Sequence, residues 1–237
     1  RFCNMARPVA TGAAGWVTHL AFSLIFASSL AKEVTLTVYY ETSCPFSRQY
    51  ITGPIAALWA DQEMREHLAL HWVPFGFGSI MEDGSILCQH GADECIGNRV
   101  QICAEGRFGH GADETTDFVL CMERGLAEGR SAADAASYAD CASPSMVREL
   151  QQCASDPESL AEAKARGRET AEAHVMQVPW VVLPEAPGYN LAGSDLKASI
   201  CAELRSRGAA LPSSCPAVPA DFWRRLSEDA APVAVLM

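Results

Sequence analysis

Asparagine is nearly missing from this chain, and that scarcity already excludes something. The 237 residues contain only Asn4, Asn98 and Asn190, followed by Met-Ala, Arg-Val and Leu-Ala. None begins an N-x-S/T sequon, so N-linked glycans have no acceptor. Basic clusters are missing too: 18 Lys and Arg stand against 29 Asp and Glu, a net charge of −11. An acidic chain without a basic stripe lacks the electrostatic footprint of a nucleic-acid binder. There is no internal repeat and no low-complexity tract; the Ala-rich stretch 131–136 is ordinary helix-forming sequence. Beyond residue 31 no apolar run approaches the ~20 residues that span a bilayer. What the chain has in excess is cysteine: ten in all, nine of them after residue 31.

Arg1 and Arg7 precede an apolar stretch from about Ala13 to Ala27, and small residues follow at Ser28, Ser29 and Ala31. These are the n-region, h-region and small-residue site of a secretory signal. A short membrane anchor is the alternative reading, but the run carries Thr18 and His19 and is too short to span. We therefore expect residues 1–31 to be a cleaved signal, with no stable membrane association afterwards. The missing initiator Met suggests that the sequence is a fragment at its start. Removing 1–31 takes away two basic residues and no acidic one, so a net charge of −11 becomes −13. The remaining 206 residues suffice for one domain with its own core. Nine cysteines in a secreted chain read as a disulfide framework.

One cysteine stands apart. Cys44 ends the run Val34-Thr-Leu-Thr-Val-Tyr-Tyr-Glu-Thr-Ser-Cys44 and is followed by Pro45, Phe46 and Ser47. The alternating β-branched and aromatic residues predict a strand, and Pro45 suits the first turn of a helix. A cysteine at that junction faces unpaired backbone N–H groups and the positive end of the helix dipole, which favour thiolate over thiol. Thiol–disulfide enzymes of the thioredoxin type keep their nucleophile in this setting. The customary second cysteine, three residues on, is Ser47 here.

The order of segments agrees with such a fold. A helix is expected from about Pro45 toward His67, kinked at Gly53-Pro54. A second strand fits Leu68–Pro74, and Gly-rich sequence from Gly76 to Gly84 ends the regular pattern. From Glu94 to about Val175 the composition predicts several short helices. Strand character returns at Val178–Leu183. A turn at Pro187-Gly188-Tyr189-Asn190 leads to one more short strand, and Asp195 caps a last helix from Leu196 to Arg205. The result is β-α-β, a helical insertion over about 88–175, then β-β-α. That is an α/β, thioredoxin-like domain over 32–215 with a disulfide-rich helical insertion between its halves, followed by a loose extension over 216–237.

A spaced motif is more specific than this order. The run Cys88-Gln-His90-Gly-Ala-Asp-Glu94-Cys95-Ile-Gly-Asn98-Arg-Val-Gln-Ile-Cys103 resembles the signature of the gamma-interferon-inducible lysosomal thiol reductase family. The resemblance extends through the Tyr-Tyr-Glu before Cys44, Val73-Pro74-Phe75-Gly76, Val119-Leu120-Cys121-Met122-Glu123, Val178-Pro179-Trp180, and the Cys201 and Cys215 positions. It covers roughly residues 34–216. It implies a thioredoxin-like fold, disulfide reduction in an acidic endocytic compartment, and an active-site C-x-x-C. It also implies a cis peptide at Val178-Pro179, whose backbone offers groups to a bound peptide near the nucleophile; without the resemblance a trans proline would be expected.

The departure at Ser47 sets the expected mechanism. A thiolate attacks a substrate disulfide and forms a mixed disulfide, which a second cysteine ordinarily resolves. Ser47 cannot resolve it, although its hydroxyl can hydrogen-bond and so favour the Cys44 thiolate. We expect Cys44 and Ser47 as catalytic residues and Pro45, Phe46, Val178 and Pro179 as substrate-binding residues. No metal or cofactor is expected; an external small thiol such as cysteine or glutathione serves as reductant. The partners are disulfide-containing client proteins, and the location is the secretory pathway, in lysosome or vacuole or outside the cell. The alternative function is a thiol-dependent client-retention factor or a redox-inactive peptide-binding module, and Ser47 on its own also fits a decayed active site.

Other residues invite blander readings. The Cys88–Cys103 cluster with His90 could be zinc ligands, but six and seven intervening residues are not a zinc-knuckle spacing. Four disulfides among Cys88, Cys95, Cys103, Cys121, Cys141, Cys153, Cys201 and Cys215 are expected instead. Their pairing stays open, and Cys44 is left over. His90 reads as a hydrogen-bonding loop residue, with a place near the active site as the other possibility. His67 and His71 read as surface or packing residues, and Trp180 and Tyr189 as core or groove lining. Glu41, Asp93 and Glu94 read as turn and capping residues, with no pair suited to acid–base hydrolysis.

Overall fold

A computed structural model describes residues 32–127, 129–184, 190–217, 219 and 221–224. The expected signal over 1–31, the turn residues 187–189 and most of the expected extension lie outside the described residues. The architecture is mixed α/β with a helical majority, two small sheets and four disulfides.

The first strand, β1 (Val34–Tyr40), is central to its sheet. Its alternation places Val34, Leu36, Val38 and Tyr40 at zero exposure while Thr35 faces solvent. It pairs in parallel with β2 (Leu68–Pro74), from Val34 opposite Leu68 to Tyr40 opposite Pro74. On its other side it pairs antiparallel with β5 (Trp180–Val182), Tyr39 opposite Trp180. The second strand matches its expected bounds and the first forms from Val34 as expected, because alternation over seven residues is a strong signal.

The connection from β1 to β2 is helical but not one helix. It runs α1 (Pro45–Tyr50), a π turn (Ile51–Ile55), α2 (Ala56–Ala60) and α3 (Gln62–His67). Pro54 has no N–H to donate and its ring crowds the preceding turn, so the expected kink takes the form of the widened π turn. The second break is new: Asp61 leaves helical geometry and its carboxylate accepts from the Met64 N–H at 3.3 Å, capping α3. Ile51, Ile55, Leu58, Trp59 and Met64 pack into one core with β1, β2 and β5.

Two further corrections concern short strands. The Gly-rich region forms an exposed hairpin, β3 (Ser79–Ile80) and β4 (Ile86–Leu87), turned at Gly84 with φ +78°. The strand expected after Asn190 does not form among the described residues. Asn190 Oδ1 accepts from the Ala192 N–H at 3.0 Å and winds Leu191–Gly193 into a 3-10 turn. Asp195 then caps α8 (Leu196–Ser206) by accepting from the Ala198 N–H.

The helical block holds α4 (Ala92–Phe108), α5 (Asp113–Ala127), α6 (Pro144–Ser155) and α7 (Pro157–Glu172), longer helices than the composition indicated. It has its own core around Val100, Phe118, Met122, Tyr138 and Leu150. Cys103–Cys153 joins α4 to α6, and Cys121–Cys141 joins α5 to the loop before α6. Cys88–Cys95 closes the approach to α4, and Cys201–Cys215 fastens the tail to α8. Cys44 is the free cysteine among the described residues. The zinc reading of Cys88, Cys95 and Cys103 is excluded, because each sulfur is bonded to another sulfur.

Candidate functional site

Cys44 is the N-cap residue of α1, with extended backbone (φ −69°, ψ 119°). Its N–H donates to Glu41 O at 3.1 Å, closing a tight loop after β1, and its carbonyl accepts from the Arg48 N–H at 3.0 Å. Pro45 occupies the first helical position, where a missing N–H costs nothing. The Cys44 side chain makes no capping hydrogen bond and is 3% exposed. Ser47 sits one turn on, fully buried, and its Oγ has no hydrogen-bond partner. The expected hydroxyl–sulfur hydrogen bond is therefore not formed here. A thiol is a poor acceptor, so the neutral side chain offers Ser47 little to bond.

The expected peptide-binding residues separate into two groups. Phe46, 71% exposed, lines a cavity of about 650 Å³ together with Gln49, Tyr50, Val178 and Pro179. Pro45 is exposed but does not line it, and neither do the buried Cys44 and Ser47. The Val178-Pro179 peptide is cis, as expected. Asn190 supports this segment, accepting from the Val181 N–H at 3.0 Å and donating to Pro179 O at 3.1 Å. Trp180 is half-buried in β5, and Tyr189 lies outside the described residues.

The loop that carries Cys44 is held by the first half of α4. The Thr42 N–H donates to Asn98 Oδ1 at 3.1 Å, and the Ser43 N–H donates to Glu94 Oε1 at 3.1 Å. Asn98 Nδ2 donates to Glu41 Oε2 at 2.6 Å, and the Phe77 N–H donates to Glu41 Oε1 at 2.9 Å. His90 gives its N–H to Glu94 Oε2 at 2.7 Å and places Nδ1 2.8 Å from Oε1. Gly97 permits this approach, since a Cβ there would lie 2.8 Å from Thr42 Oγ1 and 2.5 Å from Ala132 Cβ. The spaced motif from Cys88 to Asn98 is thus wrapped around the Cys44 loop.

Glu41 and Glu94 keep the turn and capping contacts expected of them, Glu41 O closing the turn on Cys44 and Glu94 accepting the His90 N–H ahead of α4, but they also hold the Cys44 loop from the interior. Both have zero exposure, whereas Asp93 stays at the surface and accepts from Ser131 Oγ. An acidic residue in a first helical turn ordinarily faces solvent; Glu94 instead faces inward because donors of the surrounding loops converge on it. Farther along the same helix face, Gln101 accepts from the Tyr40 hydroxyl and donates to Glu123 Oε1 at 2.8 Å. Glu105 then accepts from Arg166 at 2.5 Å. His67 and His71 each hydrogen-bond a carboxyl group, Nδ1 of His67 lying 2.8 Å from Glu33 and Nε2 of His71 2.7 Å from Glu169.

Burial pushes the Glu41 carboxyl up to about 8, the neighbouring Glu94 adding to the shift and the Asn98 and Phe77 hydrogen bonds opposing it. Burial likewise pushes Glu123 up to about 8, against the Gln101 hydrogen bond and the Arg48 charge. Both values lie above the ordinary 4.5, so the folded protein binds these protons more tightly than the unfolded chain does. The stability they lend is full below about 4.5 and is lost as pH rises through about 8. Asp61, held down to about 2 by Ser214 and Lys197, acts only at lower pH. The expected result is an unfolding free energy that falls from pH 5 to 8 by up to about 1.4 kcal/mol per pH unit for each carboxyl, and a melting temperature that falls with it. Differential scanning calorimetry of the parent and of Glu123→Gln checks it; the variant should show a shallower slope, and equal slopes would contradict the assignment.

Part of the chain that carries these residues is similar to known proteins. The model of the gamma interferon inducible lysosomal thiol reductase family matches residues 35–145. That stretch includes Cys44 and the Cys88–Asn98 motif; Val178-Pro179 lies beyond it. The chain is 36% identical over 104 residues to the gamma-interferon-inducible lysosomal thiol reductase-like protein of Anopheles gambiae, covering 38% of this chain and 41% of that relative. It is 30% identical over 98 residues to the gamma-interferon-inducible lysosomal thiol reductase of Carassius auratus, covering 40% of this chain and 37% of the relative. It is 26% identical over 172 residues to GILT-like protein 2 of Drosophila melanogaster, covering 72% and 76%. The chain thus spans less than half the length of the first two of these relatives.

Proposed function

We propose that the chain is a member of the gamma-interferon-inducible lysosomal thiol reductase family and a monothiol thiol–disulfide oxidoreductase acting through Cys44. The observation that carries the reading is the state of the cysteines: among the described residues eight are paired, and the free one sits at the N-terminus of α1 with Ser47 at the resolving position. A thioredoxin-like arrangement is supported by the parallel β1 and β2, the antiparallel β5 and the cis Val178-Pro179 peptide at its start.

The Cys44 thiolate attacks one sulfur of a client disulfide, forming a Cys44–client mixed disulfide and expelling the other client sulfur as thiolate. An external thiolate then attacks the Cys44 sulfur and expels the client as its second thiolate. A second external thiol frees Cys44 and leaves as the small-molecule disulfide. Two external thiols are oxidised for each client disulfide reduced. Phe46, Val178 and Pro179 hold the client segment beside the nucleophile, and Pro45 shapes the helix start that presents it. Clients are disulfide-containing proteins of the endolysosomal or secretory system, and cysteine or glutathione is the donor.

Turnover of a fluorescence-quenched disulfide peptide with excess glutathione tests this. Many turnovers per protein are expected, with a rate that rises with glutathione. A single stoichiometric event that leaves a persistent mixed disulfide would establish client retention instead, and no reaction would leave a peptide-binding module.

A further inference from the structure

The disulfides differ in what a small thiol can reach. Cys88 and Cys95 are both buried and pack against Phe75. Cys103 and Cys201 are 4% and 0% exposed, each inside an apolar core, and their partners Cys153 and Cys215 are half-buried. The Cys103–Cys153 bridge does border a cavity, of about 370 Å³. Attack on Cys153 or Cys215, however, must expel the buried partner as a thiolate among apolar side chains, where it is a poor leaving group. Cys121 and Cys141 are both half-buried. Among the described residues, theirs is the bridge that combines a reachable sulfur with a leaving thiolate open to water.

Both cysteines line a cavity of about 450 Å³, together with Phe108 and Phe118. Its ionisable lining is acidic: Glu114, Asp117 and Asp140, all exposed, with no Lys, Arg or His among the described residues. Arg65 offsets part of this charge, meeting Asp117 at 2.9 Å. Arg124, three residues beyond Cys121 on α5, does not line the cavity. A thiol reacts as its thiolate. A neutral thiol therefore meets these carboxylates as an anion and an anionic thiol as a dianion. An aminothiol arrives as a zwitterion, whose ammonium the carboxylates and phenyl faces attract.

We propose that Cys121–Cys141 is a thiol-exchange site selective for small cationic aminothiols, and that its opening frees the loop before α6 from α5. The aminothiolate attacks one of the two sulfurs and bonds to it; the Cys121–Cys141 bond breaks, and the other cysteine leaves as a thiolate that takes a proton from water. A second aminothiolate attacks the mixed disulfide on the aminothiol sulfur, releases the remaining cysteine and forms the aminothiol's own disulfide. Two aminothiols are oxidised for the one bridge reduced. The freed segment bears on the Cys44 loop, because Ala132 and Thr42 both crowd Gly97 of α4. An anionic thiol such as glutathione is held off by the same carboxylates. The site does not depend on the reading of Cys44.

The test incubates the full chain at low salt with cysteamine, 2-mercaptoethanol or 2-mercaptoethanesulfonate, which are cationic, neutral and anionic. Samples quenched with N-ethylmaleimide at intervals are peptide-mapped by mass spectrometry. Each rate is divided by that thiol's rate with hydroxyethyl disulfide, a neutral reference that removes differences in thiolate content. Cys121 and Cys141 should be labelled before the other six bridged cysteines. Cysteamine should be severalfold faster than mercaptoethanol, and mercaptoethanesulfonate severalfold slower. The three should converge at about 1 M salt, where the screening length is about 3 Å. In Glu114→Gln/Asp140→Asn they should converge at low salt too, with Cys121 and Cys141 still first. Another bridge opening first, or none opening, overturns the exchange site. Equal rates for the three thiols in the parent, or a charge order that the double variant leaves intact, overturn the selectivity; the thiol series on the parent needs no variant to fold.

Discussion

Cys44→Ser is expected to abolish every thiol reaction of the protein while its melting temperature stays the same or rises slightly. Cys44 is unpaired, so no disulfide is lost. It occupies an N-cap position without a side-chain hydrogen bond to the first turn. Serine is among the preferred N-cap residues, and its Oγ can accept from an N–H at the start of α1, worth about 1 kcal/mol. That gain offsets the cost of burying a hydroxyl where a thiol stood. Mass spectrometry after alkylation should find one labelled site among the nine cysteines after residue 31 in the parent, Cys44, and none in the variant. Circular dichroism should show the same spectrum. The contrast is Cys103→Ser, which breaks a bridge between residues 50 apart in sequence and strands Cys153. Chain-entropy arguments put the loss of such a closure at about 4 kcal/mol. If Cys44→Ser melts as early as Cys103→Ser, Cys44 is a structural residue and the reaction scheme above fails.

The parts of this fold that were legible in the sequence are those whose signals are local. β1 and β2 alternate over seven residues with one face buried, and Asp195 announces α8 by capping it. The 45–67 helix was legible as helical but not as broken, because Asp61 ends one turn and begins the next in a run of good helix formers. The hairpin of β3 and β4 has two residues per strand and is largely exposed, too short for any periodicity to register. α4 hid its orientation for a different reason. Glu94, Asn98, Gln101 and Glu105 recur at helical spacing, which ordinarily marks a solvated face, yet all four are buried. Their partners come from β1, its following loop, α5 and α7, so only the tertiary structure identifies the stripe as interior. The same holds for the buried carboxyls of Glu41 and Glu94 around the Cys44 loop. The motif was recognisable as a spaced pattern, but its physical purpose, holding the loop that presents the thiol, depends on contacts some 50 residues apart in the chain.

Ser47→Cys is expected to convert bimolecular release of clients into intramolecular release. Positions 44 and 47 are the N-cap and third residue of α1, one turn apart, which is the spacing of a C-x-x-C pair. The site receives a thiol well in one respect. Ser47 Oγ is a buried hydroxyl without a partner, and an unsatisfied group of that kind costs about 1–3 kcal/mol. A thiol is a far weaker donor, so the substitution relieves part of that cost, against some crowding from the larger sulfur. Once a client is bonded to Cys44, the thiolate introduced at position 47 attacks the Cys44 sulfur and expels the client thiolate. What remains is an internal disulfide between positions 44 and 47, which an external thiol reduces. Effective molarities for well-oriented groups exceed millimolar thiol so far that mixed disulfides should shorten in lifetime by on the order of 10³-fold or more. Client release by the variant should be nearly independent of added glutathione, whereas release by the parent should rise in proportion to it. Non-reducing electrophoresis of trapped complexes, quenched at intervals across a glutathione series, separates the two. Equal release rates at every concentration would mean that the parent already resolves its complexes internally. One of the eight bridged cysteines would then have to supply the second sulfur, and the monothiol scheme would be wrong.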